Sequence, residues 1–250
     1  MAAPTDAALE VDVSGSDGVL WVRLPPGALS LATARSLAQV LDRAAASHEL
    51  RVLALGCSGP DFCTGIAGDL DPLGCGLNPA EAIASLRMPT VAVLSGAVRS
   101  VGLELALAAD IRLAASDASL SLADLESGRL PCWGGTQRLT RLAGPSLATR
   151  MLMLGETVAA PVAQQLGLVH RTTAAAQLEQ GARSLCEKLA AQAPLALEYA
   201  KEAIREGAHL SMPDALRLEA DLNVLLQASE DRAEGLSAFL SRRTPSFGGG

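Results

Sequence analysis

The stretch that decides the architecture is Thr90-Val-Ala-Val-Leu-Ser-Gly-Ala-Val-Arg-Ser-Val-Gly-Leu-Glu-Leu-Ala-Leu-Ala-Ala-Asp110. Thr90 to Leu94 is a short apolar run rich in β-branched residues, which predicts a buried strand. Gly102 to Ala109 then starts a helix, and Glu104 falls inside its apolar run. A carboxylate in such surroundings is costly unless something pairs with it. Working forward, Ile111-Arg-Leu-Ala114 and Ser119-Leu-Ser-Leu122 read as short strands, followed by a second carboxylate, Asp124, in Ala123-Asp-Leu-Glu-Ser-Gly128. Glu104 and Asp124 are therefore the first candidates for chemistry.

Working backward, Leu9-Glu-Val-Asp-Val13 and Gly18-Val-Leu-Trp-Val-Arg-Leu24 alternate across a Ser-Gly-Ser-Asp-Gly turn, which reads as a hairpin. Ser30 is placed to cap a helix to about His48, with Leu31, Ala34, Leu37, Val40, Leu41 and Ala44 at helical spacing. Arg51 to Leu55 is a buried strand, and Gly68 to Asn78 an irregular loop. Pro79 opens a helix through Arg87. Beyond Asp124, helices are expected over Thr136–Leu142 and Ser146–Leu154, broken at Gly144-Pro145. A short helix over Val158–Gly167 and a last strand over Leu168–Thr172 follow. From Gln177 to Leu240 the pattern is helical, with breaks at Pro194, Gly207, Pro213 and Gly235, and Gly248 to Gly250 reads as a loose tail. Strands and helices alternate first and helices alone follow, which is α/β with a helical cap. No period of repeated sequence is evident.

The whole chain sets limits. Its 250 residues suffice for a full core, and a formal charge of −7 argues against nucleic acid as the main partner. Five cysteines, none in a CxxC pair, fit reduced thiols in a cytoplasmic protein. The segment Met1 to Glu10 lacks the features of a signal peptide, and no apolar run is long enough for a membrane span. His48, His170 and His209 fit no metal spacing.

The quoted segments, taken with others, resemble the crotonase (enoyl-CoA hydratase/isomerase) superfamily. The resemblance is carried by Phe62-Cys-Thr-Gly65, the run from Ser95 to Ile111, and Pro131-x-x-Gly-Gly-Thr-Gln-Arg-Leu139. It continues through Ala160-x-x-Ala-x-x-Leu-Gly-Leu-Val169 and the C-terminal run from Ser229 to Phe247. It implies an α/β fold: a crotonase-like spiral of ββα units with a C-terminal α-helical region. Residues 1–190 would form the spiral core with an acyl-thioester site. Residues 191–250 would form a helical region for trimerisation and pocket cover, in a homo-trimer or hexamer.

The same resemblance implies a lyase that adds water across a 2,3-enoyl thioester. The backbone N–H groups of Ile66 and Val101 would form an oxyanion hole, with Glu104 and Asp124 as catalytic carboxyls. Cys63, Gly65, Gly102 and Phe239 would contact substrate. Coenzyme A enters as the thioester handle, with no separate cofactor and no metal, and an acyl-carrier handle stays open.

The chain departs from the family pattern where aspartate replaces glutamate at Asp124 and where Ser100-Val-Gly102 replaces three glycines. The turn after Gly65 departs as well. Three alternatives stand beside hydration: isomerisation of an enoyl thioester, a biosynthetic dehydration, or a catalytically weak interaction protein on the same fold. Residue by residue, Glu104 is open to a structural ion pair with an arginine, and Asp124 to capping the turn that follows. Glu126 rivals Asp124, and Cys63 is open to being a plain buried thiol.

Overall fold

The computed structural model describes residues 11–250. The reading of Met1 to Glu10, and the first two residues of the expected hairpin, lie outside them. Strands β1 (Asp12–Ser16) and β2 (Val19–Leu24) pair antiparallel across Asp17-Gly18, a tighter turn than the sequence suggested. Helix α1 (Leu31–Ala46) starts where Ser30 Oγ accepts the Thr33 N–H at 3.0 Å, and it buries Leu37, Val40, Leu41 and Ala44. Next come β3 (Val52–Cys57), α2 (Pro79–Ser85), β4 (Thr90–Leu94), β5 (Ala97–Arg99) and α3 (Val101–Ala108). They are followed by β6 (Ile111–Ala115), β7 (Ser119–Ser121), a 3-10 turn over Asp124–Ser127, and α4 (Gly135–Met153), which is kinked at Gly144-Pro145.

Two layers of strand emerge from this order. In the main sheet β2, β3, β4 and β6 lie side by side and parallel, with β1 on one edge and β9 (Arg171–Thr173) on the other. After each of these four strands the chain crosses to a second layer. There Leu29 bridges Ile66, Cys63 bridges Val98 of β5, and β5 pairs with β7. Each crossing ends in a helix, α1 to α4 in turn. The result is a spiral of ββα units, a repeat of backbone without a repeat of sequence. It is built because each parallel strand needs a crossover to return to the same edge direction.

α3 is the hub. All eight of its residues are buried, so it has no polar face. Its C-terminal end is met by Arg112, only 2% exposed, whose Nε donates to Leu168 O at 2.6 Å and whose Nη1 donates to Ala109 O at 2.5 Å. The guanidinium answers the unpaired carbonyls that end a helix. Burial lowers its pKa to about 10, still well above neutrality.

Residues 158–173 differ from expectation. Val158 and Ala159 form β8, which pairs antiparallel with β7, before α5 (Ala160–Gln165). The last strand is displaced to Arg171–Thr173 because Leu168 to His170 turn around the Arg112 side chain and its backbone.

Four further helices complete the chain: α6 (Leu178–Ala190), α7 (Pro194–Gly207), α8 (Met212–Gln227) and α9 (Glu230–Leu240). α6 packs on β3, β4 and β6, while α7 buries no residue fully and is tied to the core by polar anchors. Lys201 Nζ pairs with Asp110 at 2.7 Å and donates to Met88 O at 3.0 Å. Two expectations are corrected here. Gly235 lies inside α9 and does not break it, since the break falls at Ser229, whose hydroxyl caps α9. The glycine tail is not loose: buried Asp231 accepts the N–H groups of Gly248 at 2.7 Å and Gly249 at 3.1 Å.

Candidate active site

The two carboxylates reach one region from different elements. Glu104 sits in the first turn of α3 and is 1% exposed. Its Oε1 accepts the main-chain N–H of Trp133 and of Gly135, each at 2.8 Å. The ion pair with arginine that the sequence left open is therefore not its main support; Arg138 acts on it only through its charge. Burial pushes Glu104 up to about 7. The two N–H donors oppose that push, and the Asp124 charge adds to it.

Asp124 opens the 3-10 turn and is 5% exposed. Its Oδ1 accepts a hydrogen bond from the Ser100 hydroxyl. Its Oδ2 is buried and has no hydrogen-bond partner among the described residues. The capping alternative does not form, because the 3-10 turn has no side-chain cap. A cavity of about 380 Å³ lies against Asp124, walled by Thr64, Gly65, Ile66, Ser100, Ser121 and Arg129 among others. Glu126 is on its rim but exposed.

Two main-chain N–H groups bear on the site: that of Ile66, in the loop after β3 and on the cavity wall, and that of Val101, buried at the start of α3 and not part of the wall. Leu29 N–H donates to Gly65 O at 2.9 Å and Leu29 O accepts Ala67 N–H at 2.9 Å, so the intervening Ile66 turns its own N–H away from that pairing. Val101 opens α3, where the first N–H groups have no intrahelical partner. Neither amide donates to a main-chain carbonyl among the described residues.

What brings the two segments together is Gly102. A Cβ there would stand 2.4 Å from Cys63 Cβ and 3.0 Å from its Sγ, so only glycine lets α3 lie on the Cys63 turn.

Val101 is β-branched, a residue type ill suited to positive φ. The strained backbone falls on its neighbour instead: Ser100 has φ 51 and ψ −126, while Val101 is helical. Such a conformation costs a non-glycine residue roughly 1–3 kcal/mol.

The remaining expected residues are placed as follows. Gly65 lines the cavity, whereas Cys63 and Gly102 are buried one layer behind its wall. Burial raises the Cys63 thiol, which donates to Gly65 O at 3.3 Å, so it is a packing group rather than a thiolate. Within a single chain Phe239 lies away from this site. It is 79% exposed and borders a separate cavity of about 460 Å³ between α7, α8 and α9.

Sequence reasoning missed the donors to Glu104 and the hydroxyl on Asp124. The Gly134-Gly135 pair was a signal for the first: a Cβ on Gly135 would come within 2.9 Å of Glu104 Cγ. Ser100 was visible as a departure, but nothing local pointed its side chain at a residue 24 positions away.

The fold and this site define a class. The family model for enoyl-CoA hydratase/isomerase matches residues 17–250, and the chain belongs to that family, the crotonase superfamily. Among solved structures, enoyl-CoA hydratase from Bacillus anthracis superposes with a TM-score of 0.88 at 31% identity, covering 96% of this chain and all (100%) of that one. Enoyl-CoA hydratase from Mycobacterium tuberculosis H37Rv gives 0.87 at 28% identity, covering 97% and 100%.

Relatives in sequence include 2,3-dehydroadipyl-CoA hydratase of Escherichia coli K12, 42% identical over 161 residues, which is 64% of this chain and 63% of that protein. Human enoyl-CoA hydratase domain-containing protein 2, mitochondrial, is 39% identical over 173 residues, 67% of this chain and 59% of that protein. The matches span about three-fifths of the length of these relatives.

Proposed function

We propose that this protein hydrates 2,3-enoyl thioesters, with coenzyme A or an acyl carrier as the handle. The observation that carries the reading is Asp124 Oδ2, a buried carboxylate oxygen without a partner among the described residues, beside a cavity that the Ile66 turn also lines. A carboxylate oxygen left unpaired and out of water is costly, and a substrate water or proton relieves that cost.

In this reading the thioester oxygen lies between the N–H groups of Ile66 and Val101. Charge grows on that oxygen as the enolate forms, and each such donor is worth about 3–4 kcal/mol in the transition state. Water bonds to C3 and a proton arrives at C2, breaking the double bond. Glu104 takes the proton released by the water. Asp124 orients that water and relays the proton taken up by Glu104 to C2, so that one water supplies both the hydroxyl on C3 and the hydrogen on C2. A Glu104 pKa of about 7 suits both the giving and the taking of a proton near neutrality.

The test is a panel of trans-2-enoyl thioesters followed by loss of the conjugated chromophore. Turnover that depends on Glu104 and Asp124 supports hydration. No turnover by a folded protein on any member of the panel favours a non-catalytic interaction role.

One observation favours a second reading. Asp124 lines the cavity while Glu104 is buried behind it, which suits a single proton shuttle. A 3-enoyl thioester would then isomerise faster than a 2-enoyl thioester hydrates.

The exposed Leu216, Leu236, Phe239 and Leu240 on α8 and α9 support assembly of residues 191–250 into a trimer or hexamer. No helix among the described residues is long and apolar enough to cross a membrane, and the free thiols support a reducing compartment such as the cytoplasm.

A further inference from the structure

We infer that Ser100 is a positioning residue: its hydroxyl locks the Asp124 carboxylate in one orientation, leaving Oδ2 as the working oxygen. This rests on the hydration or isomerisation reading above for its chemical meaning, but not for its geometry.

Three observations converge on it. First, Ser100 occupies φ 51, ψ −126, a backbone that suits glycine and strains any other residue, so the chain carries a side chain where none is favoured. Second, that side chain does not do what serine usually does at a helix start. Ser100 is the N-cap of α3, yet it makes no side-chain cap bond. Its hydroxyl donates to Asp124 Oδ1 instead. Third, the other oxygen of the same carboxylate is buried with no partner among the described residues, and both residues wall one cavity.

The strained residue is held on both sides. Its N–H donates to Ser121 O at 3.2 Å, and its carbonyl accepts the Glu104 N–H at 3.1 Å. One residue therefore binds the backbone of one candidate acid and the side chain of the other. Asp124 reaches roughly 1.5 Å less far than a glutamate would, one carbon–carbon bond. A hydroxyl on the facing residue fixes the direction of this shorter arm. Without it the carboxylate is free to rotate, and misplacement by about 1 Å is worth roughly 10²-fold in a positioned reaction.

The experiment compares wild type, Ser100→Gly, Ser100→Ala, Asp124→Asn and the Ser100→Gly/Asp124→Asn double variant. Crotonyl-CoA and a 3-enoyl-CoA are the substrates. Urea unfolding and crystal structures accompany the kinetics.

Ser100→Gly should unfold cooperatively at close to the wild-type urea concentration, because relief of the strained backbone and loss of the hydrogen bond to Asp124 act in opposite directions. Its kcat should fall about 10- to 100-fold, with KM changed less than about 3-fold. The double variant should be no slower than Asp124→Asn alone. The crystal structure of Ser100→Gly should show the Asp124 carboxylate turned from its wild-type position.

Wild-type kcat in Ser100→Gly, losses that multiply in the double variant, or an unmoved Asp124 carboxylate would each overturn the inference. If wild type turns over neither substrate, the reaction reading fails. The crystal comparison still decides whether Ser100 orients Asp124.

Discussion

Gly135 gives its N–H to Glu104 Oε1 across 2.8 Å, and any side chain at Gly135 would press within 2.9 Å of Glu104 Cγ. The start of α4 is thus laid directly on a buried acid of α3. The glycine makes room for the carboxylate, and the helix start supplies it with donors. This contact sets how Glu104 behaves with pH.

Glu104 holds its proton to about pH 7 in the folded chain, against an ordinary value of 4.5, mainly because burial disfavours the anion. Between those two values the folded state binds more protons than the unfolded one. Its contribution to stability is therefore full below pH 4.5, falls as pH rises, and is lost above about pH 7. The loss is about 3 kcal/mol. Urea unfolding of wild type and Glu104→Gln at pH 4.5, 6 and 8 checks this. The variant should gain on wild type as pH rises, and a constant gap would contradict it.

The same ionisation should shape the rate. With Glu104 as the base, kcat/KM on an enoyl thioester rises with pH through a midpoint near 7. Glu104→Gln should lower kcat by roughly 10²- to 10⁴-fold and abolish that limb. A pH–rate profile of both proteins measures it.

Gly102→Ala places a methyl 2.4 Å from Cys63 Cβ. The expected cost is about 1–3 kcal/mol of stability, since a packed core resists an added carbon. Activity should drop as well, because the Ile66 and Val101 junctions are driven apart. Thermal unfolding and kcat measure the two effects, and Cys63→Gly in the same chain should restore part of each.

Arg112→Met keeps the bulk of the arginine but removes the donors to Leu168 O, Ala109 O and Ala106 O. Ala106 O keeps the Ala109 N–H, but the carbonyls of Ala109 and Leu168 lose their donor, which should cost about 3 kcal/mol in urea unfolding.

Asp231→Ala removes the acceptor that pins Gly248 and Gly249. The segment after Phe247 should then be cut first in limited proteolysis, with about 1 kcal/mol lost overall. The Arg51 contact to Phe247 O, at 2.5 Å, limits how far the release spreads.

Local patterns were legible wherever a segment's partner was close in the chain. Thr90–Leu94 was readable as a strand from its own apolar run, and the α1 start from Ser30 and its hydroxyl. β5 was not, because three residues carry no period of their own and are strand only through Cys63 on one side and β7 on the other. The tail misled for the same reason: three glycines look mobile until a buried aspartate from α9 meets their N–H groups.

By itself the sequence determined the longer strands and helices in their order and the stations of Glu104 and Asp124 along the chain, while its motifs carried the resemblance to the family. These follow from side-chain hydrophobicity and turn chemistry read within a few residues. Tertiary structure alone decided that Glu104 is buried under Trp133 and Gly135, that its proton is held to about pH 7, and that Ser100 turns its hydroxyl to Asp124. Desolvation and hydrogen bonding depend on which atoms meet through space. The atoms that matter here come from segments 24 to 31 residues apart.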